Sequence, residues 1–208
     1  MLIVACVNVG NYRGMGAEYV ANLYRGVRRH LNAPFRFVCL TDSPLDIPID
    51  ALNIEGSDWY AKMELFRPGR FGDDDQVLFF DLDTVIIGNV DELAAYDGEI
   101  AGLSDFYYPD RLQSSVLSFK PSTCGHIWTK WERMGKPRNK RGDQGVIEVY
   151  APNAERFQDL FPDVIVSFKA DCESGVPLSA RVVCFHGEPK PDNCPDTFLQ
   201  QAWRNTDE

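Results

Sequence analysis

No run in this sequence reaches the about 18 consecutive apolar residues that a membrane-crossing helix needs. The opening MLIVACVNVG is apolar but short. No basic stretch precedes it, and Asn11 and Arg13 follow at once, so it reads as a buried strand and not as a leader. There is no CxxC pair and no tight cysteine framework. The six cysteines (6, 39, 124, 172, 184 and 194) are scattered. Cys6, Cys39 and Cys184 fall in strand-like runs, where a small buried thiol is the usual occupant. A reduced, cytoplasmic setting without a transmembrane segment is the expectation.

Positive charge is also scarce: 21 Lys and Arg stand against 31 Asp and Glu, leaving −10. That balance argues against general nucleic-acid or anionic-membrane binding, both of which need a positive field. It leaves room for a local basic patch. Repeats, low-complexity segments and an evident interdomain linker are all missing. What is present is an ordinary globular composition, 44% hydrophobic and 25% charged, and the 12% aromatic content excludes disorder. One domain over residues 1–208 is the economical reading.

Apolar runs and helical patterns alternate along the first 120 residues. Strands are expected at Leu2–Val9, Phe35–Leu40, Ala51–Ile54 and Gln76–Leu82, with helical patterns at Ala17–Leu31 and Asp58–Phe66. Further on, Leu112–Phe119 and Val182–Phe185 read as strands and Ser122–Met134 as a helix. Gly135–Gly142 (GKPRNKRG) is a basic loop, and three prolines follow Gly187 before a short amphipathic end. This alternation means a mostly parallel sheet covered by helices, an α/β fold whose ligands gather at the carboxyl ends of the strands.

The most informative run is FFDLDTVIIGNVDEL, residues 79–93. Asp81 and Asp83 close a wholly apolar strand. In an extended segment residues i and i+2 point the same way, so both carboxylates meet at one site. Two anions held together repel unless a cation or a proton relieves them. A hard divalent ion, Mg²⁺ or Mn²⁺, is the natural partner, and such ions usually also bind phosphates.

This run resembles the DxD signature of nucleotide-sugar-dependent glycosyltransferases of the GT-A fold, particularly the family-8 type that includes glycogenin. WYAKMELFRP (59–68) resembles the helix that precedes the motif there. Asp105 followed by LQSSVLSFKPS (112–122) is similar to the family's D…FNSGV segment. GDQGVI (142–147) is similar to GDQGLL, and FHGEPKP (185–191) to HFxGxxKPW. Several weak motifs in the right order, spanning residue 1 to about 191, are more specific than any one of them.

The resemblance implies a GT-A-like (Rossmann-like) mixed, mostly parallel sheet. Residues 1–84 would form the nucleotide-binding half, 85–191 the sugar and acceptor half, and 192–208 a tail. Asp81 and Asp83 would hold the metal that bridges a donor diphosphate, most simply that of a UDP-sugar. Lys190 would add a point charge on the phosphates, with the Gly187 backbone allowing close approach. Tyr12 would stack on the base and Asn8 bond to it, with Thr41 and Asp42 near base or ribose. Lys62 would approach the donor from its helix. Asp105, Gln113, Ser114, Asp143 and Gln144 would form the sugar pocket, with Gln144 or Asp143 steadying an oxocarbenium-like centre if the reaction retains configuration. The acceptor, whether glycan, lipid, protein or other, is not readable.

The chain departs from the pattern in three places. Cys184 stands where the family has its metal-binding histidine, and His186 follows two residues later. If Cys184–His186 is extended, both side chains share a face. Imidazole then suits Mn²⁺ better than a thiolate does, which favours His186, with a hydrogen-bonded loop histidine as the alternative. Gln113 and Ser115 replace the family's Asn and Gly, leaving the donor sugar open. His30 and His126 lie in helical patterns without acidic company and read as structural. The Lys130–Arg141 stretch, six basic residues against Glu132 alone, reads as a solvated helix end and loop or as a surface for an anionic acceptor.

Two other readings use the same residues. Asp81-Leu-Asp83-Thr-Val85 also fits the DxDx[TV] nucleophile strand of haloacid-dehalogenase-type phosphatases. That motif normally opens its fold, whereas α/β pattern precedes it here, and a later paired-acid motif is poorly met around Asp143 and Glu148. A catalytically silent nucleotide-sugar-binding module is the third.

Overall fold

Two sheets carry the architecture in a computed structural model that describes residues 1–56 and 58–204. The strands are β1 (Leu2–Asn8), β2 (Arg36–Thr41), β3 (Asp50–Asn53), β4 (Gln76–Phe80), β5 (Thr84–Ile86), β6 (Ile100–Ser104), β7 (Leu112–Phe119), β8 (Glu155–Arg156), β9 (Ile165–Ser167) and β10 (Val182–Cys184). The helices are α1 (Gly16–His30), α2 (Asp91–Ala94), α3 (Pro121–Arg133), α4 (Gly142–Tyr150), α5 (Phe157–Leu160), α6 (Phe168–Asp171) and α7 (Thr197–Arg204). Seven strands in the order β3-β2-β1-β4-β7-β6-β8 form the main sheet, and β5-β10-β9 form the second. In the main sheet β7 alone runs against its neighbours, pairing antiparallel with β4 and β6, while the other pairings are parallel. The expected α/β architecture, a mixed and mostly parallel sheet flanked by helices, is therefore present.

Period-two alternation divides the core between the sheet's two faces. Val4 and Cys6 pack with Tyr19, Val20, Leu23 and Val27, a stripe that recurs every three or four residues along α1. Ile3 and Ala5 face the other way, toward Met63, Phe66, Ile127 and Trp131. Cys124, Ile127, Trp128 and Trp131 give α3 the same kind of buried stripe. Each fully buried Val, Leu, Ile, Phe or Met side chain among these contributes about 1.5–3 kcal/mol.

Three departures from the sequence reading bear on the site. β4 ends at Phe80 and not at Leu82: the Asp81 amide makes a last bond to β7, donating to Ser115 O (2.8 Å), and the chain then turns. Thr84 N then donates to Asp81 O (3.1 Å), closing a turn that feeds β5. Asp81 and Asp83 are thus set by a turn and not by extended alternation. Asp58–Phe66 is a 3₁₀ helix. The sequence pattern does not resolve β5, α2, β6, α4 or the short elements from β8 to α6.

Candidate active site

The carboxyl ends of β1, β2 and β4 lie side by side, and the acidic turn follows the last of them. Lys62, from the 3₁₀ helix, reaches into this corner. Its Nζ lies 2.9 Å from Asp81 Oδ1 and 3.0 Å from Asp143 Oδ2. It also donates to Ser114 Oγ (3.0 Å), and that hydroxyl donates in turn to Asp143 Oδ2 (2.7 Å). Four expected residues from four separate chain segments are therefore one hydrogen-bonded group. Burial opposes the Lys62 ammonium, but Asp143 and Asp81 together hold its pKa above the ordinary lysine value. For Asp81 burial dominates and raises its pKa, with Lys62 pulling down and Asp83 and Asp143 pushing up.

Asp83 carries a second cation. Lys190 Nζ pairs with Asp83 Oδ2 and lies 3.4 Å from Phe185 O, while the Tyr12 hydroxyl donates to the same carboxylate oxygen (3.2 Å). Burial first, and Asp83 second, push the Tyr12 phenol well above its usual value, so it remains a donor. Phe185 N donates to Asp83 O (3.3 Å), which ties the acidic turn to the end of β10.

His186 stands close by. Its Nε2 is 2.6 Å from Ser167 Oγ, and its ring stacks on Phe106 (5.9 Å between centroids) and meets Tyr107 edge-on (5.5 Å). Burial and then Lys169 and Lys190 lower its pKa, against Asp105 and Asp83, so the neutral imidazole is favoured. Cys184, inside β10, is a core thiol whose pKa burial raises well above normal. A thiolate there is disfavoured.

The remaining expected residues are placed as follows. Asp105 uses Oδ1 to accept the backbone N–H of Tyr107 (3.0 Å) and Tyr108 (3.2 Å), so it shapes the turn after β6. Gln113 closes on Ser115, accepting its backbone N–H (2.9 Å) and donating to its hydroxyl (2.6 Å). Gln144, on α4, is half-buried, and its side chain makes no hydrogen bond among the described residues. Asn8 is only 1% exposed, donates to Thr41 Oγ1 (3.5 Å), and leaves its Oδ1 without a partner. Asp42 accepts the Gly10 amide (2.9 Å), joining the ends of β1 and β2. Gly187 has φ +67°, and a Cβ there would stand 2.9 Å from Lys169 Nζ.

Several contributors had no sequence signal of their own. Ser167 both holds His186 and accepts the Ala170 amide (3.1 Å) at the start of α6. Arg13 pairs with Glu188 and Asp192. Its position among Gly10, Asn11 and Gly14, in a turn of positive φ, was the available clue. His126 bridges Thr123 O and Tyr150 O, linking α3 to α4 outside the site. In the basic stretch Arg138 pairs with Asp58, Arg141 with Glu148, and Lys136 lies over Trp128 (4.7 Å). The cavity of about 600 Å³ beside Tyr24, Arg28 and Phe37 is lined by none of the expected site residues.

No protein-family model matches the chain, and no curated protein matches it in sequence. Solved structures do share its fold. The bifunctional glycosyltransferase WbbM superposes with a TM-score of 0.75 at 14% identity, covering 98% of this chain and 49% of WbbM. The glycosyltransferase GlyE of Streptococcus pneumoniae TIGR4 gives 0.73 at 17% identity, covering 99% of this chain and 60% of GlyE. The galactosyltransferase LgtC, in complex with donor and acceptor sugar analogues, gives 0.69 at 15% identity, covering 99% of this chain and 94% of LgtC. The chain thus spans about half the length of WbbM and somewhat more of GlyE. The likeness is one of fold, the GT-A type.

Proposed function

We propose that the protein is a glycosyltransferase that moves a sugar from a nucleoside diphosphate sugar, with a UDP-sugar as the first candidate, to an acceptor. The observation that carries this reading is the pairing of each DxD carboxylate with a lysine from a distant segment, Asp81 with Lys62 and Asp83 with Lys190. Opposed carboxylates and ammonium groups at a strand end are what a metal-chelated diphosphate needs on its two sides. The same fold in WbbM, GlyE and LgtC, the last seen with donor and acceptor sugar analogues, supports it.

Asp81, Asp83 and His186 would hold Mn²⁺ or Mg²⁺. Two hard carboxylates and an imidazole suit such an ion, and the raised pKa of Asp81 is a mismatch that a cation relieves. Among the described residues no three acidic, His or Cys side chains are gathered to hold an ion as they stand. Asp83 is engaged by Lys190, and His186 by Ser167. When bound, the ion supplies charge stabilisation to the departing nucleoside diphosphate.

The chain's own residues would do the rest. Lys190 would leave Asp83 for the phosphate oxygens, so donor and carboxylate compete for one ammonium. Lys62 pairs with Asp143, which also accepts from the Ser114 hydroxyl, and Asp143 would accept from a sugar hydroxyl. Gln144, whose side chain makes no hydrogen bond among the described residues, would offer its amide oxygen to positive charge at the reacting carbon in a retaining transfer. Asn8, Tyr12, Thr41 and Asp42 remain the nucleotide-side candidates. Six free thiols fit a reducing, cytoplasmic setting.

Slow hydrolysis of a panel of nucleotide sugars with Mn²⁺, in the native protein and in Asp83→Ala, tests the reading. Metal-dependent release of nucleoside diphosphate that is lost in the variant is the expected result. Phosphate release from a phosphomonoester would replace it with the phosphatase reading, and no turnover of either would leave a silent binding module.

A further inference from the structure

Lys190 does not hold its place alone. The segment that carries it, residues 187–193, is fastened to the loop after β1 by one side chain. Arg13 donates through Nη1 to Glu188, lies 3.2 Å from Asp192 Oδ1 through Nε, and donates to Asp192 Oδ2 through Nη2 (3.3 Å). The Tyr19 hydroxyl, on α1, donates to the same Asp192 carboxylate. Within the segment Asn193 donates to Glu188 Oε2 (3.1 Å) and accepts the Lys190 amide (2.7 Å). Glu188 and Asp192, on either side of Lys190, are thus clamped by one guanidinium whose planar fork serves both.

The other end of the clamp is also fixed. Gly10 N donates to Asp42 (2.9 Å), and Asn11 Oδ1 accepts the Gly16 amide (2.9 Å). Arg13 itself sits at φ 53°, ψ 20°, a conformation unfavourable for a side-chain-bearing residue, so its surroundings hold it there at some cost. One residue before it, Tyr12 donates to Asp83, the carboxylate that Lys190 pairs with. The clamp and the site therefore share both loops.

We infer that Arg13 is a positioning residue that holds the Glu188–Asp192 segment so that Lys190 stands over Asp83, ready to meet a diphosphate. This rests on the reading of Lys190 as a phosphate-binding residue. Isolated exposed ion pairs contribute little, but one guanidinium shared by two carboxylates, with Tyr19 on one of them, is a network. Its loss should free the segment more than it unfolds the protein.

The test compares Arg13→Gly, which suits the positive φ, and Arg13→Lys, which keeps charge without the fork, with Lys190→Ala and the Arg13→Gly/Lys190→Ala double variant. Amide hydrogen exchange over residues 187–193 in the free protein should quicken in Arg13→Gly, with global stability retained, and fall between in Arg13→Lys. Titration with UDP, GDP, ADP and CDP, each with Mn²⁺, should show about tenfold weaker binding of the accepted nucleotide in Arg13→Gly. The same substitution should add no further loss once Lys190 is gone. Unchanged exchange over 187–193, or losses that multiply in the double variant, overturns the inference. If no nucleotide binds the native protein, the donor reading fails, while the exchange data still decide whether Arg13 fastens the segment.

Discussion

Lys62 Nζ lies 2.9 Å from Asp81 Oδ1, so the 3₁₀ helix before the acidic turn and the turn itself meet through a largely buried ion pair. Asp143 completes the group on the far side of the ammonium. Removing the lysine leaves facing carboxylates without a counter-charge. Lys62→Met is expected to cost about 3–5 kcal/mol in urea unfolding. Adding Asp143→Asn should recover part of that loss, because it removes one of the unpaired charges. A Lys62→Met protein as stable as the native one would mean that the group contributes nothing to the fold.

Gly16 opens α1 with the Asn8 amide directly against it. A Cβ would stand 2.3 Å from Asn8 Oδ1 and 2.9 Å from its Nδ2. Asn8 is buried in a strand and cannot swing clear, so Gly16→Ala should cost about 1–3 kcal/mol despite its better helix propensity. Urea denaturation of the purified variant reads this directly.

Asp91 is surrounded by donors: Asn32 through its backbone and side-chain nitrogens, and Asn89 through its side chain, each within 2.9 Å. The Asn89 and Asn32 hydrogen bonds hold its pKa down to about 2, below the ordinary 3.8. A folded pKa below the unfolded one stabilises fully above about pH 4, and that stability is lost as pH falls through about 2. Asp91→Ala should therefore flatten the acid limb of the stability profile between those values. An acid limb unchanged in the variant would contradict the assignment.

Five of the six cysteines are buried, and Cys172 alone is half-exposed. Burial pushes its thiol up to about 11, so thiolate is scarce at neutral pH. Brief iodoacetamide treatment of the folded protein should modify Cys172 slowly and spare Cys6 and Cys184, as read by peptide mass spectrometry. Rapid labelling of Cys184 would mean that the end of β10 opens.

The sequence carried the fold's frame and the chemistry of the corner better than its geometry. The apolar run before Asp81 placed β4, and the alternation of strand and helix predicted the mostly parallel sheet. The acidic pair was found for one physical reason and positioned for another: a turn pinned by Ser115 and Thr84, long-range and local hydrogen bonds invisible to period-two counting, sets Asp81 and Asp83. Lys62, Ser114 and Asp143 came from separate motifs, and only the fold reveals that they are in contact. Arg13 and Ser167 escaped notice because their partners, Asp192 and His186, are distant in sequence or reached through a short strand. A side chain that works through another carries no motif of its own.

The most direct test of the central claim is calorimetric titration of nucleoside diphosphates into the protein with and without Mn²⁺, repeated on Asp83→Asn. The account predicts binding of one nucleoside diphosphate that needs the metal and is lost in Asp83→Asn, although the variant remains folded. Binding that persists in chelator and in Asp83→Asn alike, or no binding of any nucleotide by the native protein, would contradict it.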